Sequence, residues 1–406
     1  MEDKLQTVNV LDRVRSNEHV KLNSVSTQLY NFIQSYPTKY HFKLTKNNKQ
    51  FISHILTDIN NAILSWNKLD YQELPYQPHF NNEIFLSIPS KIRNHIIHWR
   101  TKTCRSFRFS FDNHNIQIHI SMPHSNIENS FFHNSLKMIY LWLFIATKYA
   151  TKGCSQEMNI YLYLTDLPKK IGKNGEPIRP QHANTAYTHT CKPTTDIVIF
   201  RQEEWFKVLI HETFHNLGLD FSGMDIFKIQ HKLSQIFFIR SKFELYETYN
   251  ETWAEILNII FLAFLSEDKP TNIMSKIENF LNTEIHFSLF QCVKVLQNHN
   301  LKYVDILSKN SSNNYDEHTN VFCYYVLKSL VLFFTNDFIE WCSKHNNENI
   351  LNFNKTSSNL DNFCEFILNI HNRPEYLLEL NHMKLWIQQQ KMTPIVKNTM
   401  RMTIFG

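Results

Sequence analysis

Glycine occurs six times in 406 residues, and five of the six fall between positions 153 and 223. Glycine tolerates the positive φ of tight turns at no steric cost. Tight turns are therefore expected to concentrate in that window, leaving the rest of the chain free to form long helices. The six positions (153, 172, 175, 218, 223 and 406) cannot spell G-x-G-x-x-G or a P-loop. Phosphate chemistry on a glycine-rich loop is not expected on that ground.

The hydrophobic period marks the elements. In residues 1–98, "VSTQLYNFIQSY" and "QFISHILTDINNAILSWNKL" carry apolar residues at helical spacing. The first twenty residues are polar and mixed in charge, without the apolar run of a secretory leader. From 104 the period becomes two. Phe107, Phe109 and Phe111, then Ile116, Ile118 and Ile120, alternate with polar residues around "DNHN", which predicts a β-hairpin. Ser125 and Glu128 form a capping-box pattern ahead of a helix through "MIYLWLFIA". "MNIYLYL" (158–164) and "DIVIF" (196–200) read as strands, and "ANTAYTHT" (183–190) as an extended piece. "EEWFKVLIHETFHNLG" reads as a helix with Gly218 as its C-cap. Beyond about 225 the chain reads as helical, with loops at "SSNNYDEHTN" and around 344–361. The expected class is α+β. Its stretches are a helical region at 1–98, an α/β subdomain at 99–222 and a helical subdomain at 223–406.

Composition narrows the partners. Hydrophobic residues make up 43%, including 32 Phe, which suits a globular chain. The 42 basic and 37 acidic residues leave only +5, spread along the chain, so no nucleic-acid partner is expected. "MIYLWLFIA" and "VFCYYVLKSLVLFF" fall short of the roughly 18–20 apolar residues of a membrane span, and both read as core helices. Seven cysteines without a C-x-x-C pair exclude a cysteine zinc knuckle. They suggest reduced, buried thiols in an intracellular protein.

The chemistry concentrates in "HETFH". Residues four apart share a helix face, so His211 and His215 can present nitrogens to one zinc ion. Glu212, beside the first, can act as general base toward a water there. Two histidines and a glutamate can also fall in this pattern by chance in a chain with 21 His, so the third ligand decides. The metzincin pattern would need a histidine at 221, where Phe221 stands, and Asp220 is one position early. Downstream, "YETYNETWAEILNIIFLAFL" places Glu251 and Glu255 on one helix face. Glu251 is the expected third ligand. Glu255 would stand behind it and receive the free N–H of a ligand histidine. Glu247 and Asp220 remain the alternatives for the third position.

"HETFH" followed by "NETWAE" resembles the gluzincin metallopeptidases, whose pattern is H-E-x-x-H, a spacer, then N-E-x-x-x-D/E. The order of elements over 104–265 is similar to a zincin catalytic half-domain: a small twisted mixed sheet, a backing helix and an active-site helix. The flanking helical regions match nothing in that pattern. The composition with "EEWFKVLIHETFH" is also similar to zincin-like proteins of large DNA viruses. The resemblance implies one Zn2+ per chain, a protein or peptide substrate and peptide-bond hydrolysis. It implies substrate pairing along an edge strand at Asn184, Thr185, Ala186 and Tyr187. A donor to the tetrahedral oxyanion is also needed. His189, His231, Tyr246 and Tyr249 are the candidates. The rival expectations are a non-enzymatic virion or scaffold protein that keeps the fold, and hydrolysis of a non-peptide amide.

Overall fold

The alternating residues of 103–122 form a hairpin around a two-residue turn at Asp112 and Asn113, where Asp112 takes φ 50°. Phe107 pairs with Ile118, and Phe109 with Ile116, so the apolar face is continuous across both strands. The hairpin belongs to a six-stranded mixed sheet in a computed structural model that describes residues 22–75, 83–99, 103–124, 127–172, 175–266, 272–309, 315–347 and 349–406. The strands are β1 (Gln72–Leu74), β2 (Thr103–Phe111), β3 (His114–Met122), β4 (Glu157–Tyr163), β5 (Ala186–Thr188) and β6 (Thr194–Ile199). Their order is β1-β2-β3-β4-β6-β5. β3, β4 and β6 run parallel, while β5 pairs antiparallel with β6 and forms one edge.

The helices follow in chain order. α1 (Ser24–Gln34), α2 (Lys46–Trp66), α3 (Glu83–Leu86) and α4 (Ser90–Trp99) precede the hairpin. α5 (Asn129–Ala146), the short α6 (Pro180–Ala183) and α7 (Trp205–Asn216) are threaded through the sheet strands. α8 (Phe227–Ser234), α9 (Leu245–Leu265) and α10 (Ile273–Asn298) come next. A π-helical turn (Phe322–Leu327) leads into α11 (Lys328–Phe333) and α12 (Thr335–His345). α13 (Ser357–Ile370), α14 (Pro374–Gln389) and α15 (Pro394–Asn398) close the chain. The class is α+β, as the change of period implies.

α5 covers the sheet face that carries Phe109 and Phe111, and both rings meet Tyr140 in edge-on contacts. The opposite face stacks His119, Tyr161 and Tyr163, and α3 and α4 pack there through Phe85, Ile92 and Ile96. One buried apolar cluster runs from Leu29 through Trp142 and Trp253 to Phe405, so residues from all three stretches share a core. Among the described residues no single helix is long and apolar enough to cross a membrane.

Two expectations change. Cys154 and Cys191, 37 residues apart, form a disulfide with a Cα–Cα distance of 4.9 Å, which corrects the expectation that all thiols are reduced. Only the fold brings the loop before β4 to the end of β5, and no spacing motif announces it. Glu128 is itself the residue that precedes α5, and it makes no side-chain cap bond. Ser125, like the polar first twenty residues, lies outside the described residues.

Candidate metal centre

α7 is pinned along its length. Trp142 of α5 donates its indole N–H to Thr213 Oγ1 at 2.7 Å. Thr195 of β6 donates to Asn216 Oδ1 at 3.1 Å. The helix stops at Gly218, whose φ of +62° suits glycine, with Leu219 N–H donating back to Phe214 O at 2.8 Å. A Cβ at Gly218 would also meet Cys154 Sγ and Thr151 Oγ1 at 3.1 Å. This reversal returns Asp220 to the last turn of the helix, where its Oδ2 lies 2.5 Å from His215 Nδ1.

α9 packs against α7 with its acidic residues in step with the basic ones. Lys207, His211 and His215 recur every fourth residue on α7, and Glu247, Glu251 and Glu255 do so on α9. Ascending α9 corresponds to descending α7. Glu247 Oε2 lies 3.1 Å from His211 Nε2 and 3.5 Å from His215 Nε2. Glu251 Oε1 lies 3.0 Å from His211 Nδ1, and its Oε2 contacts Lys207 Nζ. Glu255 Oε2 leaves the series and pairs with Lys328 Nζ at 2.9 Å.

The group that could hold a metal ion is therefore completed by Glu247 rather than by the expected Glu251. One ligand atom each from His211, His215 and Glu247 lie within 4.8 Å of one another, and all three residues are buried. Glu251 stands beside His211 Nδ1, the contact that the sequence reading gave to Glu255, and also lines the cleft described below. Glu255 is part of a separate buried ion pair. Four residues along a helix is a shift of about 6 Å, so one turn of register between α7 and α9 moves every assignment by one carboxylate.

The donor set fits a metal ion of the zinc type. Two imidazoles and a carboxylate are the donors of a site that keeps a position open. His211 Nδ1 is buried without a hydrogen bond of good geometry, and so is Glu247 Oε2, which lies between two Nε2 atoms. Such an orphaned oxygen calls for a partner. Both Nδ1 atoms face carboxylates, Glu251 for His211 and Asp220 for His215. That turns both Nε2 atoms toward one point. Asn250 donates to Asp220 Oδ2 at 2.8 Å and steadies the second pair.

The charges hold one another. Burial pulls the His211 imidazolium down, but the Glu251 and Glu247 carboxylates outweigh it and raise the group to about 9. His215 is likewise raised against its burial, by Asp220 first. Burial pushes Glu247 up, but its contacts with His211 and His215 bring it down to about 2. Glu212 differs. Burial raises its carboxyl above the ordinary range, opposed by the two histidines. It forms no hydrogen bond or ion pair among the described residues and lines a cleft.

That cleft is bounded by Ala183, Asn184, Thr185 and Ala186 at and before the β5 edge, by Val208, His211 and Glu212 of α7, by Glu251 of α9, and by Lys169, Tyr324 and Met402. Of the four residues expected as substrate edge strand, Ala186 and Tyr187 lie within β5, Asn184 and Thr185 precede it, and Tyr187 is outside the cleft lining.

The oxyanion candidates disperse. Tyr249 is buried among aromatic rings, with its hydroxyl accepting from Asn346 at 2.9 Å. His231 is exposed on α8. His189 packs against Tyr187, with ring centres 5.6 Å apart. Tyr246 does border the site, with its ring 5.9 Å from that of His215. The sequence reading missed Tyr324, whose ring lies 6.2 Å from that of His211 and which lines the cleft beside Glu212. It sits on the π-helical turn, a local irregularity that often marks functional sites. In sequence it is one aromatic among many in "VFCYYVLKSLVLFF".

No family model matches this chain, and neither a curated protein nor a solved structure matches it.

Proposed function

We propose that this chain is a zinc-dependent peptidase in which His211, His215 and Glu247 hold the ion and Glu212 is the general base. The observation that carries the reading is the contrast among four buried carboxylates. Glu251 and Asp220 each stand beside the Nδ1 atom of a histidine, at 3.0 and 2.5 Å, and Glu247 faces both Nε2 atoms. Glu212 alone is unpaired and lines the cleft.

Bound zinc would supply Lewis acidity toward a substrate carbonyl and acidify water at the open position. The chain's own groups do the rest. His211 and His215 present Nε2 because Glu251 and Asp220 hold their Nδ1 sides. Glu212 takes a proton from the attacking water and passes it to the leaving amine. Its raised affinity for protons suits both transfers. The edge strand β5 offers unpaired backbone groups to an extended peptide. Tyr324 supports the reading as a hydroxyl donor beside His211.

The test is metal analysis of the purified protein next to the Glu212→Gln variant, with both assayed on a broad peptide library. The parent should carry about one zinc per chain and cleave peptides. The variant should keep the zinc and lose cleavage. A parent that holds no zinc ends this reading, and a parent that holds zinc but cleaves no peptide favours a non-enzymatic role.

A further inference from the structure

We propose that Lys207 is a positioning residue for the metal centre, acting on His211 through Glu251. This inference rests on the zinc-site reading above. Lys207 stands one helical turn before His211 and is 1% exposed. A lysine on a core-facing position is costly to bury unless its charge is answered. Here the answer is Glu251, whose Oε2 contacts the ammonium while its Oε1 lies 3.0 Å from His211 Nδ1. The Met402 sulfur lies 3.8 Å from the same nitrogen.

The two oxygens of Glu251 are thus divided between two partners. This matters because the last torsion of a glutamate is broad and sets no single orientation for its carboxylate. A partner on one oxygen is what aims the other. With Lys207 holding Oε2, Oε1 is kept 3.0 Å from Nδ1, within reach of a hydrogen bond that would fix the His211 ring and keep Nε2 toward the ion. An apolar side chain at 207 could fill the same space but would leave Oε2 unclaimed and Glu251 free to turn. Lys169, which lines the cleft, forms a neighbouring buried pair with Glu204. Packing alone explains neither the choice of lysine nor its pairing with the carboxylate that also stands beside His211 Nδ1.

The experiment is a double-mutant cycle on the full chain, using Lys207→Met, Glu251→Gln and both together. Each zinc-loaded protein is mixed with excess chelator, and the rate of zinc release is read. The visible spectrum of each cobalt-substituted protein reports the ligand field separately. Second-layer partners change metal retention by about 10–100-fold. Lys207→Met should release zinc about tenfold faster than the parent, and Glu251→Gln at least as fast. The double variant should match Glu251→Gln, because Lys207 has no route to the metal once Glu251 cannot respond. Cobalt spectra of Lys207→Met and Glu251→Gln should shift in the same direction. Unchanged or slower release from Lys207→Met overturns the proposal. So does a double variant that is additively worse, which would mean that Lys207 supports the fold independently. If Lys207→Met fails to fold, the double variant, which strands neither charge of the pair, still decides against the parent and Glu251→Gln: zinc release slower than from Glu251→Gln and close to the parent's overturns the proposal. A parent that takes up no zinc or cobalt refutes the zinc reading itself, whereas a parent that binds normally while the cycle fails refutes only the role of Lys207.

Discussion

Asp220 Oδ2 lies 2.5 Å from His215 Nδ1, in a position secured by the glycine turn that ends α7 and by Asn250. The short reach from Gly218 to Asp220 makes the helix cap part of the site. An aspartate that fixes a ligand imidazole raises its basicity and orients its ring. Asp220→Asn should release zinc about 10–100-fold faster under chelator competition while the fold is kept. An unchanged release rate would reduce Asp220 to a buried acceptor that closes the helix-end turn and only touches His215.

The register of α7 against α9 makes a second prediction. Glu247→Gln should abolish stoichiometric zinc, because it removes the oxygen that faces both Nε2 atoms. Glu251→Gln should retain zinc with weaker affinity, since an amide oxygen can still face His211 Nδ1. Zinc analysis after dialysis separates the two. Full zinc in Glu247→Gln with none in Glu251→Gln would restore the assignment first read from "NETWAE".

Much of this was readable in the residues, and what was not has identifiable causes. The α+β class followed from a visible change of period, and the hairpin with one apolar face from strict alternation; the turn is two residues rather than the four of "DNHN", so the Phe107–Ile118 register was not readable. His211 and His215 converge because four residues are one helical turn, a local fact. The third carboxylate is a non-local fact. Glu247, Glu251 and Glu255 have the same spacing and chemistry, so a slip of one turn between two helices leaves a sequence pattern of equal quality. Only packing in three dimensions selects among them. Tyr324 was hidden for a different reason. In a run of apolar residues it has no periodic mark, and the π-turn that presents it is a backbone irregularity. The partners of Cys154 and of Lys207 were equally beyond local pattern.

Glu255 gives a prediction opposite to the one its sequence position suggested. It is fully buried and paired with Lys328 at 2.9 Å, and Lys328 also donates to Met402 O at 3.0 Å. Breaking a buried ion pair from one side costs about 3–5 kcal/mol. Glu284, which also interacts with Lys328, should place the loss toward the lower end. Glu255→Gln should lower stability in urea unfolding accordingly, yet leave zinc release from the folded protein unchanged. Faster zinc release without loss of stability would put Glu255 back behind the metal.

The pH dependence of the metal-stripped protein follows from the histidines. His211 is raised to about 9, and His215 is raised in the same direction. A raised folded value means that their pairing with carboxylates stabilises fully below the unfolded value of about 6.5. That stability is lost as pH climbs through about 9. The chelator-treated protein should therefore show a falling Tm from near neutral pH to about 9. Zinc needs neutral imidazoles, so its binding should release protons and tighten across the same window. A Tm that is flat or rising there would contradict the pairing of His211 with Glu251 and Glu247.

Tyr324 is the residue whose role is most separable from metal binding. Its ring lies 6.2 Å from that of His211, it borders the cleft beside Glu212, and it has no direct contact with Glu247 among the contacts that define the ligand group. Burial raises its hydroxyl well above the ordinary tyrosine value, with the Glu247 and Glu212 charges adding to the effect. The phenol therefore stays protonated and can donate. A donor aimed at a developing oxyanion acts in the transition state and not on bound substrate, so its loss should fall on kcat. Tyr324→Phe should keep the zinc and the fold, leave KM nearly unchanged and lower kcat by about 10²–10³-fold. Tyr246→Phe, on the His215 side, should lower it far less. Equal losses in the two variants, or a loss confined to KM, would mean that Tyr324 shapes the cleft and that the oxyanion donor lies elsewhere.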